Sequence, residues 1–234
     1  MSTVNAGWRG PNIVKEGLVL YLDAASGTSY SPYTSGNTWR DISGNGNNGA
    51  LTNGPSYSSA NGGSFTFDNV DDYMTTSCVI ESAISSNLQT YCSWLNGITS
   101  NNSFFGTDAN SIGKFHLILR LQSNGTQLQF AESRYGGGGG ALDQTNVATI
   151  SSNAWNFACI VKKASTIYDV YFNGSLVISN ATKAAELPAN FNLGRLYLGQ
   201  YAPSRISNVQ IYNRALSAQE VLQNYNSAKS RFGL

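Results

Sequence analysis

Charge of either sign is scarce in this sequence. Only 12% of its 234 residues are charged, 14 Lys and Arg against 13 Asp and Glu, for a formal net charge of +1. A domain that grips nucleic-acid phosphates carries a basic excess, so nucleic acid is excluded as a partner. Long apolar runs are missing too: no stretch approaches the roughly 18 apolar residues that span a bilayer, which excludes membrane insertion. The opening MSTVNAGWRGPN has neither the basic start nor the apolar run of a signal peptide, and export by that route is not expected. Cysteine is rare. Cys78, Cys92 and Cys159 form no C-x-x-C pair and leave an odd thiol, so they are expected to be small core residues of a protein made in a reducing compartment, not a disulfide framework.

What is abundant is Gly (24), Asn (26) and Ser (30), beside 41% hydrophobic and 12% aromatic residues. That is enough apolar material for the core of one all-β sandwich of this length. Residues 1–16 hold little apolar periodicity and read as an arm outside the core, anchored by Trp8; residues 17–234 read as one domain. Leu18 to Leu22 form a continuous apolar run, as a strand buried on both faces does. The Ser-, Gly- and Asn-rich tract that follows, to Gly63, reads as a series of turns anchored by Trp39, Ile42, Leu51 and Tyr57. Alternation then becomes regular: Phe65 and Phe67, then Phe115 to Leu121 with a hairpin turn at Ser123 to Gly125. Trp155, Phe157, Cys159 and Val161 share one face, with Trp155 expected to be a large buried ring. Asn173-Gly174 between Tyr168 to Phe172 and Leu176 to Ile178 is a strong hairpin signal. The one persuasive helix is C-terminal, with Ser217 as N-cap, Glu220 as its capping-box partner and a Leu216/Val221 staple. The expected fold is all-β, a two-sheet antiparallel sandwich with a short C-terminal helix.

Several segments together resemble the concanavalin A-like jelly roll of laminin-G-like type: GLVLYLD (17–23), WRDISGNGNNGALTNGP (39–55), SFTFDNVDDYM (64–74), WNFACIVKK (155–163), YDVYFNGSLV (168–177), LYLGQY (196–201) and ISNVQIYNRALSAQEVLQNYN (206–226). The resemblance implies a jelly-roll sandwich with lectin or glucanase relatives. More narrowly, RGPNIVKEGLVLYLDA and NYNSAKSRFGL are similar to structural proteins of tailed bacteriophages that carry this jelly roll. That likeness implies a component of the virion, assembled in the host cytoplasm.

Catalysis finds little footing. Glucanases of this fold draw paired carboxylates from an E-x-D-x-x-E strand, and the glutamates here, Glu16, Glu81, Glu132, Glu186 and Glu220, are isolated. The single histidine, His116, sits in an alternating strand and reads as a surface or interface residue. Asp68, Asp71 and Asp72 form the only acidic cluster; they could hold Ca²⁺ or make a turn. Asp41 with Asn45 and Asn47 has a weaker claim of the same kind. Tyr135, Tyr201 and Arg205 lie near turn signals and are candidates for contact with sugar rings. The glycine run 136–140 lacks the Gly-Lys-Ser/Thr ending of a phosphate loop. The leading expectation is a non-enzymatic virion surface protein, a homo-oligomer with a trimer as the favoured state, attached to other virion proteins through its arm and Trp8. A carbohydrate-binding lectin module is the alternative, and a glycoside hydrolase the third reading.

Overall fold

A computed structural model describes residues 12–68, 70–76, 88–97, 103–107, 115–121, 127–134, 143–149, 153–164, 166–182, 196–198 and 204–234. Two antiparallel sheets make up the sandwich. The first runs β14 (Ser175–Thr182), β13 (Ile167–Phe172), β12 (Trp155–Lys162), β7 (Gln89–Gly97), β16 (Ser204–Tyr212), β5 (Ser64–Phe67), β4 (Ser56–Ser58), with β1 (Leu18–Asp23) also on β16. The second runs β11 (Asp143–Thr149), β10 (Gln127–Arg134), β9 (Phe115–Leu121), β8 (Ser103–Thr107), β15 (Leu196–Leu198), β6 (Tyr73–Thr76), β3 (Gly49–Thr52), β2 (Thr38–Trp39). The central strand β16 changes neighbour along its length. Ser204 to Ile206 pair with β5 and, past a bulge, Asn208 to Tyr212 pair with β1. The expected jelly-roll sandwich is what forms, closed by one α-helix among the described residues, α1 (Ala218–Asn226), and a 3-10 turn at Lys229–Phe232. No helix among the described residues is long and apolar enough to cross a membrane.

The central strands of the first sheet, β7, β12 and β16, are buried on both faces, while its edge strand β14 is largely exposed. The inner face of this sheet, with Leu20, Leu22, Phe65, Phe67, Leu95, Ile160 and Ile211, packs on Trp39, Leu51 and Met74 of the second sheet. Its outer face, with Trp94, Phe157, Cys159 and Tyr212, lies under Leu216, Val221 and Ala228 of the C-terminal segment. Trp94 is fully buried there, stacked on Tyr225 (5.5 Å) and Phe232 (4.3 Å). Trp155 departs from expectation. It is half-buried, leans on Phe232 at 4.6 Å and donates to Asn61 Oδ1 at 3.3 Å, because it begins its strand where the C-terminal cover ends.

Two further expectations change. The Gly- and Asn-rich tract holds three short strands, β2, β3 and β4, as well as turns; β3 exists because Gly49 to Thr52 find partners in β6. A side chain at Gly49 would begin 2.7 Å from Met74 Sδ, so the glycine is there for close packing. At the chain start, Ile13 and Val14 are buried, not outside the core, and Val14 is bonded from both sides: its N–H donates to Asn224 Oδ1 (2.9 Å) and its carbonyl accepts from Tyr212 Oη (3.0 Å). Trp8 lies outside the described residues. Cys92 and Cys159 are free, buried and directly opposite across β7 and β12, and burial beside the Cys92 thiol pushes the Cys159 thiol up. Cys78 lies outside the described residues.

The local signals hold. Asn173 and Gly174 take φ of 49° and 80° in a two-residue hairpin turn. Ser217 Oγ accepts the Glu220 N–H while Glu220 Oε2 accepts the Ser217 N–H at 2.8 Å, a complete capping box. Arg214 adds a forked contact to the same carboxylate, at 2.9 Å from Nη1 to Oε2. Arg214 and the cap hold the Glu220 carboxyl at about 2, below its ordinary 4.5. A depressed carboxyl stabilises the fold fully above its unfolded value and loses that contribution as pH falls through 4.5 toward about 2. Glu220→Gln is therefore expected to cost about 1 kcal/mol at pH 7, the scale of a lost cap with a solvent-screened ion pair. Urea midpoints of the two proteins should converge as the pH approaches 2; a gap that persists there would show that the charge is not what matters.

Candidate functional site

β5 stops at Phe67 and the chain crosses to the second sheet, where β6 starts at Tyr73. The crossing carries Asp68, Asp71 and Asp72. It lies at the sandwich end where β16 begins, because Ser204 sits opposite both Phe67 of β5 and Gly97 of β7. Asp68 organises the turn: its Oδ1 accepts the N–H groups of Val70 (2.8 Å), Asp71 (3.3 Å) and Asp72 (3.4 Å), while Asp72 Oδ2 accepts the Asp68 N–H (3.1 Å). Asn53 donates to the Asp71 carbonyl at 2.9 Å and ties the turn to the end of β3. One oxygen from each of the three carboxylates lies within 4.8 Å of the others.

The electrostatics of the group are opposed. Backbone N–H bonds, the Val70 bond first, lower the Asp68 carboxyl below its ordinary value. Burial, with the Asp68 charge beside it, raises that of Asp72. Like charges so close favour a cation, and hard carboxylate oxygens suit Ca²⁺, which completes its shell with carbonyls and water. The turn bonds leave Asp68 Oδ2, Asp72 Oδ1 and the Asp71 carboxylate for that purpose. The donor set fits a divalent cation.

Asp41 resolves differently. Its Oδ1 accepts the N–H groups of Tyr21 (2.8 Å) and Ser43 (2.9 Å), and its Oδ2 accepts Ser43 Oγ (2.8 Å) and the Asn47 N–H (2.9 Å). Asn45 and Asn47 donate to the carbonyls of Leu18 (3.1 Å) and Val19 (2.8 Å). Every strong acceptor position is taken by the chain itself, so the expected second metal candidate is a turn that fastens β1.

Arg205 is half-buried in β16, opposite Thr66 and Asn96 and on the other face from Ile206. Among the described residues no ion pair joins it to the acidic turn. Tyr135 and Tyr201 lie outside the described residues, as do Glu81, Glu186 and the glycines 136–140. Of the remaining glutamates, Glu220 is committed to the helix cap, Glu132 lies in β10, and Glu16 precedes β1. The sequence reading missed Arg231, which reaches back to Asp23 with Nη1 at 3.0 Å and to Ser207 Oγ with Nη2 at 2.7 Å. Nothing local in RFGL signals that contact.

A family model described as the concanavalin A-like lectin/glucanases superfamily, of laminin-G type, matches residues 67–222. Solved structures with the same architecture include the binding domain of Paraclostridial Mosquitocidal Protein 1 (18% identity, TM-score 0.66, covering 91% of this chain and 52% of that one). Another is Trypanosoma rangeli sialidase (15%, 0.64, 92% and 33%). A third is domain 4 of an extracellular GH43 arabinanase from Geobacillus stearothermophilus, solved with arabinotriose (16%, 0.67, 89% and 98%). The chain thus spans about half of the toxin chain and a third of the sialidase, but nearly all of the arabinanase domain. No curated protein matches it by sequence.

Proposed function

Because the chain belongs to the concanavalin A-like lectin/glucanases superfamily, we propose that it is a non-catalytic carbohydrate-binding module. The observation that carries this reading is the end-to-end likeness to the arabinanase domain solved with arabinotriose, where 89% of this chain matches 98% of that one. The two partial matches are to the binding domain of a toxin and to a sialidase, which agree with a binding role and with sugars as the target. The lack of an E-x-D-x-x-E strand in the sequence supports binding without turnover. The module works on the surface of a tailed-phage particle, as a trimer attached through the part of the 1–16 segment that precedes Ile13, with Trp8 as its anchor; this setting rests on the resemblance of the two chain ends alone. A glycan array with the full chain, followed by a reducing-end assay on every glycan retained, tests the reading: binding without new reducing ends is expected. An empty array would overturn it, and cleavage of a bound glycan would make the protein an enzyme.

The acidic turn gives the module a calcium site. At a calcium concentration ten times Kd the native state gains about 1.4 kcal/mol, a rise of about 3–5 °C in Tm for a chain of this size. Asp71→Asn should abolish that rise while leaving the calcium-free Tm in place, since Asp71 contributes its backbone N–H, not its carboxylate, to the bonds of the turn. A Tm unmoved by millimolar calcium would leave the three aspartates as turn chemistry only.

A further inference from the structure

We infer that the cleft between β1 and the C-terminal 3-10 turn binds an acidic sugar, a pyranose bearing a single carboxylate. The inference rests on the carbohydrate-binding reading and gives it a ligand class. The cleft has a volume of about 470 Å³, and Lys15, Tyr21, Asp23, Ser26, Ser227 and Arg231 are among its lining residues. That volume falls in the range of small-molecule sites and suits one or two sugar rings.

Its charge is built in an unequal way. Asp23, 8% exposed, is saturated: it accepts from Tyr21 Oη (2.9 Å), from the Ala25 N–H (3.0 Å) and from Arg231 Nη1 (3.0 and 3.2 Å). Arg231 cancels that carboxylate through Nη1, donates from Nη2 to Ser207 Oγ (2.7 Å) and from Nε to the Asn61 carbonyl (3.5 Å), and of its five N–H groups keeps one, on Nη2, to spare. Lys15 is exposed at the cleft and forms no ion pair among the described residues. Lys15 and Arg231 against Asp23 leave one positive charge. A phosphate dianion would face the Asp23 carboxylate with only that one charge in its favour, whereas a monocarboxylate matches it. The rest of the lining is sugar chemistry. The Tyr21 ring is half-buried and presents a rigid apolar face, and its hydroxyl, committed as a donor to Asp23, keeps lone pairs that accept from a sugar hydroxyl. Burial holds that phenol protonated far beyond neutral pH. The remaining Arg231 N–H donates to a ring or hydroxyl oxygen, and the Lys15 ammonium meets the carboxylate.

Calorimetric titration of the full chain with the methyl glycoside of galacturonic acid, the methyl glycoside of galactose and inorganic phosphate tests this. The galacturonate glycoside is expected to bind, more weakly as salt rises, and better than either of the others. Lys15→Gln should weaken it about fivefold, the scale of a solvent-exposed ion pair, with Tm unchanged, and Lys15→Arg should restore it. Equal binding of the galactose glycoside, tighter binding of phosphate, or galacturonate affinity indifferent to Lys15→Gln would each overturn the inference. If glycans retained on the array still bind the Lys15→Gln variant unchanged, only the cleft assignment fails. If the array is empty, the carbohydrate reading itself fails.

Discussion

Replacing Trp94 by alanine is expected to cost about 3–5 kcal/mol, the scale of a large aromatic ring removed from a core. Trp94 is fully buried on the outer face of the first sheet and meets Phe157 at 5.6 Å, Tyr225 at 5.5 Å and Phe232 at 4.3 Å. Its removal takes away the surface on which both α1 and the C-terminal 3-10 turn rest, so the loss extends beyond one side chain's transfer energy. The indole N–H finds no partner among the described residues. Trp94→Phe, which loses no hydrogen bond, should therefore be much milder than the alanine variant. Trp155→Ala removes a ring of the same kind that is only half-buried and should cost substantially less than Trp94→Ala. Against a typical domain stability of about 5–15 kcal/mol, the Trp94→Ala loss is large enough to read in a urea melt. Finding Trp155→Ala as damaging as Trp94→Ala would contradict this placement of the outer core.

Asp23→Ala is expected to cost about 3 kcal/mol, at the lower end for one partner of a buried ion pair. The side chains of Asp23 and Arg231 are 11% and 13% exposed, so the guanidinium left behind is only partly rescued by water. Tyr21 Oη and the Ala25 N–H lose their acceptor in the same step. Because the penalty comes mainly from stranded partners, Asp23→Ala combined with Arg231→Met should be less destabilised than the sum of the single changes, with a coupling of about 1 kcal/mol or more. Strict additivity in that double-mutant cycle would show that the pair does not fasten the C-terminal turn to β1.

The parts of this protein legible beforehand are those whose cause is local. The Asn173-Gly174 turn needs positive φ at two successive residues, and the Ser217/Glu220 box lies within four residues, so both were readable in the sequence. The acidic turn was visible as a cluster, and its separation from Asp41 was not. Both groups read as carboxylates among turn residues, and only the pattern of accepted bonds distinguishes a carboxylate with free oxygens from a saturated one. The strand β3 was hidden because Gly49 to Thr52 is too short to show alternation, and it owes its existence to β6. The cleft was hidden for the same reason at longer range: Asp23 and Arg231 are 208 residues apart.

Taken alone, the amino-acid sequence determined the all-β class, the Asn173-Gly174 hairpin turn, the capped terminal helix and the near-neutral amide-rich composition, since these follow from residue type, two-residue periodicity and short spacings. The tertiary structure alone decided that the central strands of the first sheet are covered on both faces, that Trp94 and not Trp155 is the fully buried ring of the outer face, that Val14 belongs to the core, and that a cleft opens where Lys15, Tyr21 and Asp23 face Arg231. The physical reason is that burial and charge compensation belong to pairs of surfaces. An alternating strand presents a face, and what covers that face is a segment far away in the chain whose position is set by the packing of every strand between them.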